Sequence, residues 1–353
     1  MKNVLLLCGL CLQLGAVSAQ SYSSPESVVY DAANNRYLIS NNGNNRILAR
    51  SASGVLSIFT TNISSGPHGL EIVGNTVYAC DGSSVKGFDL TTAALVFNVN
   101  VGGTFLNGIC TDGVNTLFVT DFTAKKVYKI FISTQVFSTF VTGLGPSPNG
   151  IIYDGANNRI VWVNWGSNAP ITQALLSDSS VSTVTPTTLG NCDGIVRDGA
   201  GNYYVSAWST NSIWRFTNTF GSPVQVVSAL SSPADIYYNL ANDTLVSPNS
   251  GNNTVTFHYM GSMTGANGLF SGPAFSLYPN PCNDQTAVHL SPGIASGAYI
   301  RLYDLSGAEV AAMQVPPAGE KIVIGTQSLA PGIYLVQLIT EKGRETRKLI
   351  VTR

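Results

Sequence analysis

A short phrase recurs six times along this chain, at intervals of 42, 39, 42, 44 and 41 residues. Each copy runs from an opening residue, Pro in four copies, through a variable second residue to Gly or a substitute, and then into two or three apolar residues. The second residues are Glu26, His68, Asn107, Asn149, Asp193 and Ala234. A unit of about 40 residues cannot bury its apolar face alone, so neighbouring units must stack against one another.

Short apolar runs separated by Asn- and Gly-rich turns fill each unit, as is typical of β-strands joined by tight connections. The first unit contains four candidate strands, at Ser27–Tyr30, Arg36–Ser40, Arg46–Arg50 and Leu56–Thr60. Four antiparallel strands repeated six times is the pattern of a six-bladed β-propeller. The sixth unit has only three clear strands between residues 236 and 259, so we expect an irregular closure of the ring.

Two residue types, tryptophan and cysteine, are expected to be buried. The tryptophans are Trp162, Trp165, Trp208 and Trp214, and each lies in or beside a predicted strand. We expect them to pack between blades, because large rings on strands are mostly buried against a neighbouring sheet. The cysteines outside the first 19 residues are Cys80, Cys110, Cys192 and Cys282. Buried thiols are favoured over a disulfide, which would join Cys80 to Cys110 if one formed.

The first residues have the features of a secretory signal peptide. Lys2 supplies the positive charge, Val4–Leu14 the apolar run, and Val17–Ala19 a small-residue cleavage site before Gln20. The apolar run is too short to span a membrane. We therefore expect a signal peptide over residues 1–19, the propeller over 20–262, a Gly- and Ser-rich linker over 263–274 and a second domain over 275–353.

The second domain has strand signals that predict a small Ig-like β-sandwich, so the expected fold class is all-β throughout. Its motifs are Leu277–Pro281, Leu302–Gly307, Leu329–Val336 and Lys348–Val351. They resemble the C-terminal sorting domain of type IX secretion cargo. The resemblance implies the type IX machinery as a partner and export through the periplasm to the medium or the cell surface. The alternative is an ordinary adhesion-type sandwich.

The composition excludes several classes of partner. Charged residues make up 10% of the chain, and 18 basic residues against 19 acidic ones give a net charge of −1. No basic field is present to attract nucleic acid or an anionic membrane. The sequence also lacks a Gly-x-Ser-x-Gly nucleophile elbow. We expect a small molecule or a glycan as the ligand, no nucleic acid, no membrane span, and a monomer.

The propeller resembles two related groups. The run Asp198–Val205 resembles an NHL-type repeat, and four second-position residues resemble the SMP-30/gluconolactonase family of metal-dependent lactonases. The resemblance implies that Glu26, Asn149 and Asp193 bind a divalent cation in the central channel, and that Asn107 lies beside the substrate.

One departure from the lactonase pattern affects specificity. That family places an Arg two residues before the third-blade Asn, where it contacts the substrate. This chain has Phe105 at that position. The substrate-binding residues would then be Asn107 and Phe105, in a more apolar site than a sugar lactone needs.

The residue types suit metal-assisted hydrolysis. Carboxylate and amide oxygens favour Ca²⁺, with Mg²⁺ or Zn²⁺ as alternatives. A bound cation would polarise a lactone or ester carbonyl, and Asp193 or His68 would take a proton. Pro67–Gly69 resembles the Pro-His-Gly of paraoxonase-type lactonases, but their second His is absent from the following strand, Tyr78–Asp81.

Two functions therefore remain open. The first is a cation-dependent hydrolase of a lactone or related ester, with the cation at the channel mouth. The alternative is a non-catalytic NHL-type surface propeller that binds glycan or protein, with a structural cation. Ala234 in the sixth copy is interpreted as an open side of the ring, either for substrate access or because a site has been lost.

Overall fold

The computed structural model describes residues 20–261, 274–291, 298–304, 308–316, 321–340 and 343–352. The predicted signal peptide and almost all of the predicted linker lie outside these residues. Helical structure within the described ranges is limited to three 3-10 turns, Asn42–Asn44, Gly155–Asn157 and Trp208–Thr210. None of the helices in these ranges has the length and apolar character to cross a membrane.

Residues 20–261 form six antiparallel sheets, each paired in chain order. The first has β1 (Pro25–Asp31), β2 (Arg36–Asn41), β3 (Arg46–Ser51) and β4 (Leu56–Thr60). The second has β5 (Leu70–Val73), β6 (Thr76–Asp81), β7 (Ser84–Asp89) and β8 (Leu95–Asn100). The third has β9 (Leu106–Thr111), β10 (Thr116–Asp121), β11 (Lys126–Phe131) and β12 (Phe137–Val141).

The remaining propeller sheets follow the same plan. The fourth has β13 (Ser147–Asp154), β14 (Arg159–Trp165), β15 (Ile171–Leu175) and β16 (Val181–Thr185). The fifth has β17 (Cys192–Arg197), β18 (Tyr203–Ala207), β19 (Ser212–Phe216) and β20 (Val224–Val227). The sixth has β21 (Tyr237–Asn239), β22 (Thr244–Asn249) and β23 (Thr254–Tyr259). As the weak sixth unit predicted, this sheet has three strands in the described part of the chain.

The sheets form a closed ring around their innermost strands. Strands β1, β5, β9, β13, β17 and β21 contact one another in turn, and β1 contacts both β21 and β22. The backbone N–H of Asp235 donates to the carbonyl oxygen of Glu26 at 2.8 Å, which joins the end of the ring to its beginning. The predicted all-β propeller fold is confirmed.

A buried apolar cluster lies between each pair of neighbouring sheets. Between the third and fourth sheets, for example, Phe118 packs with the fully buried Trp162. Between the sixth and first sheets, Val246 and Phe257 pack against Ile39. No blade buries its apolar face without a neighbour, which is the energetic reason for the closed ring.

The cysteines are buried free thiols, as expected. They are Cys80, Cys110, Cys192 and Cys282. Burial raises the pKa of the Cys192 thiol to about 12, with a further contribution from the Asp193 charge. The pKa values of Cys80 and Cys110 are raised as well, mainly by burial. The thiols of Cys80, Cys110 and Cys192 therefore stay protonated and serve as small apolar core groups.

The C-terminal part forms a small β-sandwich. Its first sheet has β24 (Phe275–Tyr278), β25 (Gln285–Leu290) and β28 (Lys321–Gly325). Its second has β27 (Glu309–Gln314), β26 (Tyr299–Asp304), β29 (Gly332–Thr340) and β30 (Gly343–Val351), in that order. Phe275, Val288, Ile300 and Val336 lie in the core between the sheets. The predicted sandwich is confirmed.

Candidate functional site

The second residue of the repeated phrase lies in a β-bulge in four blades. Pairing with the next strand shifts register between Pro25 and Val28, between Pro148 and Ile151, and around the equivalent residues of β9 and β17. A bulge takes one residue out of the ladder and redirects its side chain. The redirected residues are Glu26, Asn107, Asn149 and Asp193.

The glycine after three of the bulged residues, Asn107, Asn149 and Asp193, allows close approach between neighbouring inner strands. A Cβ on Gly108 would lie 2.6 Å from the carbonyl oxygen of Asn149, and one on Gly150 would lie 2.4 Å from that of Asp193. No side chain fits at these distances. The recurring Gly therefore brings the polar residues of successive blades together around the channel.

Three carboxylates form a cluster on adjoining inner strands, Glu26, Asp193 and Asp235. The Asp235 N–H donates to the Glu26 carbonyl oxygen at 2.8 Å, and a Cβ on Gly194, next to Asp193, would lie 2.8 Å from the Asp235 Cα. The pKa of Glu26 is raised to about 8, first by burial and then by the Asp235 charge. Burial, followed by the charges of Glu26 and Asp235, raises the pKa of Asp193 well above its usual value. Burial raises the pKa of Asp235 to about 7. Without a cation, burial and mutual repulsion therefore disfavour the charged form of these carboxyl groups.

Asp235 is a candidate site residue that the sequence pattern did not predict. The residue aligned with the polar position, Ala234, is fully buried, and the open side inferred there stays a prediction. The next residue, Asp235, stands where other copies have Gly, and Ser27 fills that place in the first copy. The Ser27 hydroxyl donates to Asp235 Oδ2 at 2.7 Å across the ring closure. The available signal was a charged residue at a Gly position.

The side chain of Asn149 adds an amide oxygen to the cluster. Its Nδ2 donates to the Cys192 carbonyl oxygen at 3.3 Å, while its Oδ1 is buried and accepts no hydrogen bond. Asp193 Oδ1 is likewise buried without a partner. The Asn149 amide and the Trp208 indole lower the pKa of Asp193, but less than burial raises it. The Trp208 Nε1 does not reach hydrogen-bond geometry.

These atoms fit a divalent cation. A buried oxygen without a hydrogen bond is destabilising, and so is a group of buried like charges. A cation would relieve both at Glu26, Asn149 and Asp193. Across the described ranges, no group of three or more His, Cys, Asp or Glu side chains forms a metal cluster by itself. A cation would therefore depend on the Asn149 amide oxygen as well as the carboxylates.

The channel continues beyond the carboxylates into a cavity of about 250 Å³. Asp235, Glu71, Tyr153 and Arg197 are among its lining residues. Burial raises the pKa of Glu71 to about 8, and the Asp235 charge adds to the shift. The cavity is below the roughly 300 Å³ at which small-molecule pockets usually begin. A substrate would therefore approach the carboxylates from the mouth of the channel.

His68 lies apart from the carboxylate cluster. Its Nε2 is 2.9 Å from Nδ2 of Asn42, and its ring packs edge-on against Phe105 at 4.6 Å between centroids. Burial lowers its pKa to about 4, and the charge that opposes this shift is Asp81 rather than a member of the cluster. Its Nδ1 is buried without a partner. At neutral pH this imidazole is uncharged.

The two predicted substrate contacts lie in the third blade. Asn107 is buried in its bulge, and its carbonyl oxygen accepts from the Gly69 N–H at 2.8 Å. Within the described residues, no hydrogen bond joins the Asn107 side chain to the carboxylates. The half-buried Phe105 ring lies between His68 and Phe122, whose ring centroid is 5.5 Å away.

The C-terminal residues 276–352 match the family of secretion system C-terminal sorting domains. The predicted sorting tail is confirmed. It implies handling by the type IX secretion machinery and export to the medium or the cell surface. No curated protein matches the sequence.

The propeller is similar to solved structures at low sequence identity. A gluconolactonase from Xanthomonas campestris is 13% identical with a TM-score of 0.57, over 65% of this chain and 84% of that one. A streptogramin B lyase is 14% identical with a TM-score of 0.54, over 68% and 84%. A chain of a nidogen/laminin complex is 16% identical with a TM-score of 0.51, over 58% and 80%.

These likenesses establish the fold and leave the activity open. The three solved structures are described as a lactonase, a lyase and a protein–protein complex. The same propeller architecture therefore supports unrelated functions, and function must be argued from the site.

Proposed function

We propose that this protein is a divalent-cation-dependent hydrolase of a lactone or related ester, acting at the mouth of the propeller channel. The observation that carries the proposal is the convergence of Glu26, Asp193 and Asp235 beside the unpartnered Oδ1 of Asn149. A structural core would pair such groups, because buried charges without partners cost stability.

Glu26, Asn149 and Asp193 would hold the cation. All three offer hard oxygen atoms, which favours Ca²⁺ over Mg²⁺ or Zn²⁺. A bound cation supplies positive charge that polarises a carbonyl and lowers the pKa of water. Asp235, held in place by the Ser27 hydroxyl, adds negative charge that strengthens cation binding without requiring direct contact.

Asp193 is the better candidate for the proton acceptor. Its Oδ1 has no hydrogen-bond partner in the described chain, so this oxygen can accept a proton. His68 has a pKa of about 4 and is a weaker base at neutral pH. Asn107 and Phe105 would contact the substrate from the third blade.

The test is lactone hydrolysis by the full chain, with Ca²⁺ present and after chelation. We expect Asp193→Asn to lower kcat by about 100-fold or more, in the range for loss of a general base. Asp178→Asn is the matched control, since Asp178 is an exposed loop carboxylate. Cation binding without turnover on a panel of lactones and aryl esters would contradict the hydrolase and support the non-catalytic surface propeller.

We also propose the processing route. Residues 1–19 would be removed as a signal peptide, and the sorting domain would be removed after transport. The propeller would then act as a monomer, either released or attached to the cell surface. Mass spectrometry of the exported protein tests this route, because cleavage would leave Gln20 as the first residue.

A further inference from the structure

Aligning the six blades reveals an uneven rim at the channel mouth. In five blades the opening residue of the phrase pairs with a residue at or near the end of the second strand; examples are Pro25 with Asn41 and Cys192 with Ala207. In the remaining blade, the second, the equivalent strand β6 ends at Asp81. The residues that follow these six positions are Asn42, Gly82, Phe122, Trp165, Trp208 and Ser250. Three consecutive blades thus carry an aromatic ring where the other three carry a small or polar residue.

These rings form one continuous surface with Phe105, which we call the aromatic arc (Phe105, Phe122, Trp165 and Trp208). Successive ring centroids are 5.5, 6.0 and 5.2 Å apart, each pair arranged edge to face. All four side chains are half-buried. Each ring therefore keeps part of its surface available to a ligand.

The expected packing between blades is found for Trp162 and also for Trp165 and Trp208, whose rings contact each other from neighbouring blades. Trp162 is fully buried between the third and fourth sheets, as expected for a packing residue. Trp165 and Trp208 make their contact at the rim. Packing between blades is needed at every interface, so it does not explain why aromatic side chains lie at the rim of only three of the six blades.

The aromatic arc ends at the carboxylate cluster. Ala207, the residue before Trp208, pairs with Cys192, the residue before Asp193, and the Trp208 backbone N–H donates to the Asn191 carbonyl oxygen at 3.1 Å. At the other end, Phe105 contacts His68. A ligand lying on the arc would therefore place one edge beside Asp193 and Asn149.

We infer that the aromatic arc binds an apolar planar ring of the substrate, so that the substrate class is aryl or alicyclic lactones and esters rather than sugar lactones. This inference rests on the proposed hydrolase function and specifies its substrate. The four rings carry only two polar atoms, the indole nitrogens, and offer little to a ring bearing several hydroxyl groups. Edge-to-face and offset-stacked aromatic contacts favour a flat apolar ring instead.

Binding is tested with two lactams that resist hydrolysis, 3,4-dihydroquinolin-2-one and gluconolactam, using calorimetry on the full chain with Ca²⁺ present. We expect the aromatic lactam to bind at least tenfold more tightly. Trp165→Ala should weaken its binding about tenfold. Trp214→Ala is the control, because the Trp214 indole donates to Ser212 Oγ and lies outside the arc. Equal weakening by both variants would overturn the inference.

A second variant guards against a folding defect. Phe122→Leu keeps an apolar side chain and removes the ring, and we expect about threefold weaker binding at an unchanged melting temperature. Tighter binding of gluconolactam, or unchanged binding of the aromatic lactam in both arc variants, would overturn the inference.

Turnover separates this inference from the proposed function. Hydrolysis of dihydrocoumarin at a higher kcat/KM than gluconolactone supports both. Specific binding of the aromatic lactam without hydrolysis of any lactone overturns the hydrolase but leaves the arc as an aromatic binding site. Hydrolysis that prefers gluconolactone overturns the arc as the specificity surface and leaves the hydrolase standing.

Discussion

Two buried aspartates on neighbouring inner strands show how differently this propeller treats the same side chain. Asp154 ends β13 and accepts hydrogen bonds from Arg159 Nε at 2.8 Å, Arg197 Nη1 at 3.0 Å and the Tyr203 hydroxyl at 2.9 Å. Asp193, near the start of β17, keeps an oxygen without a hydrogen bond. One carboxylate joins the fourth and fifth blades, while the other lies in the channel.

Their pKa values shift in opposite directions. Burial raises the pKa of Asp154, but hydrogen bonds from Asn157, Arg159 and Tyr203 and the Arg159 charge outweigh it, so the pKa is lowered. Burial and two neighbouring carboxylates raise the pKa of Asp193. The comparison shows that burial alone does not distinguish a structural carboxylate from one in a candidate functional site. What distinguishes them is whether the buried charge has partners.

The largest expected effect comes from removing the carboxylate of Asp154, which has hydrogen-bond partners on both oxygens. Asp154→Ala leaves Arg159 and Arg197 without their shared carboxylate, and should lower the free energy of unfolding by about 3 kcal/mol. Chemical denaturation measures this change. Asp178→Ala, at an exposed position, is the control and should stay within about 0.5 kcal/mol of the wild type. A loss below about 1 kcal/mol for Asp154→Ala would mean that the pairing contributes little.

A cation should stabilise the folded protein at Asp193, the aspartate with an oxygen that accepts no hydrogen bond. At a Ca²⁺ concentration one hundred times its Kd, the free energy of unfolding should rise by about 2.7 kcal/mol. Asp193→Asn should remove most of this gain, whereas Asp178→Asn should keep it. Thermal unfolding with and without Ca²⁺ measures the difference. Equal stabilisation of both variants would place the cation elsewhere on the molecule.

The smallest effect, at most about 1.4 kcal/mol within one pH unit for a single group, is a pH dependence of stability without a cation. Glu26 has a folded pKa of about 8 against an ordinary value of 4.5, so the folded state holds a proton that the unfolded state has released between these values. Stability should therefore be greatest below pH 4.5 as far as this group is concerned, and fall as pH rises towards 8. Glu26→Gln should flatten the melting-temperature profile between about pH 5 and 8. A profile that rises with pH in the wild type would contradict the raised pKa.

The carboxylate site was partly predictable. The spacing of the phrase placed Glu26, Asn149 and Asp193 at equivalent positions of successive blades, and the ring geometry brings their strands together. Asp235 was not predictable in this way, because it stands one residue after the aligned position. Its carboxylate joins the cluster through the Ser27 hydroxyl of the first blade, more than 200 residues away in sequence. His68 was aligned with the site residues, yet its ring contacts Phe105 and Asn42 instead.

The sequence by itself determined the repeating architecture, the sorting tail and most of the oxygen-bearing residues of the candidate site. These follow from local patterns, because strand periodicity, turn residues and repeat spacing act within single units. Only the tertiary structure decided that Asp235 completes the acidic cluster and that Phe122, Trp165 and Trp208 share one rim. Both depend on contacts between strands about 40 residues apart or more, where close backbone packing at the glycines and the bulges sets the direction of each side chain.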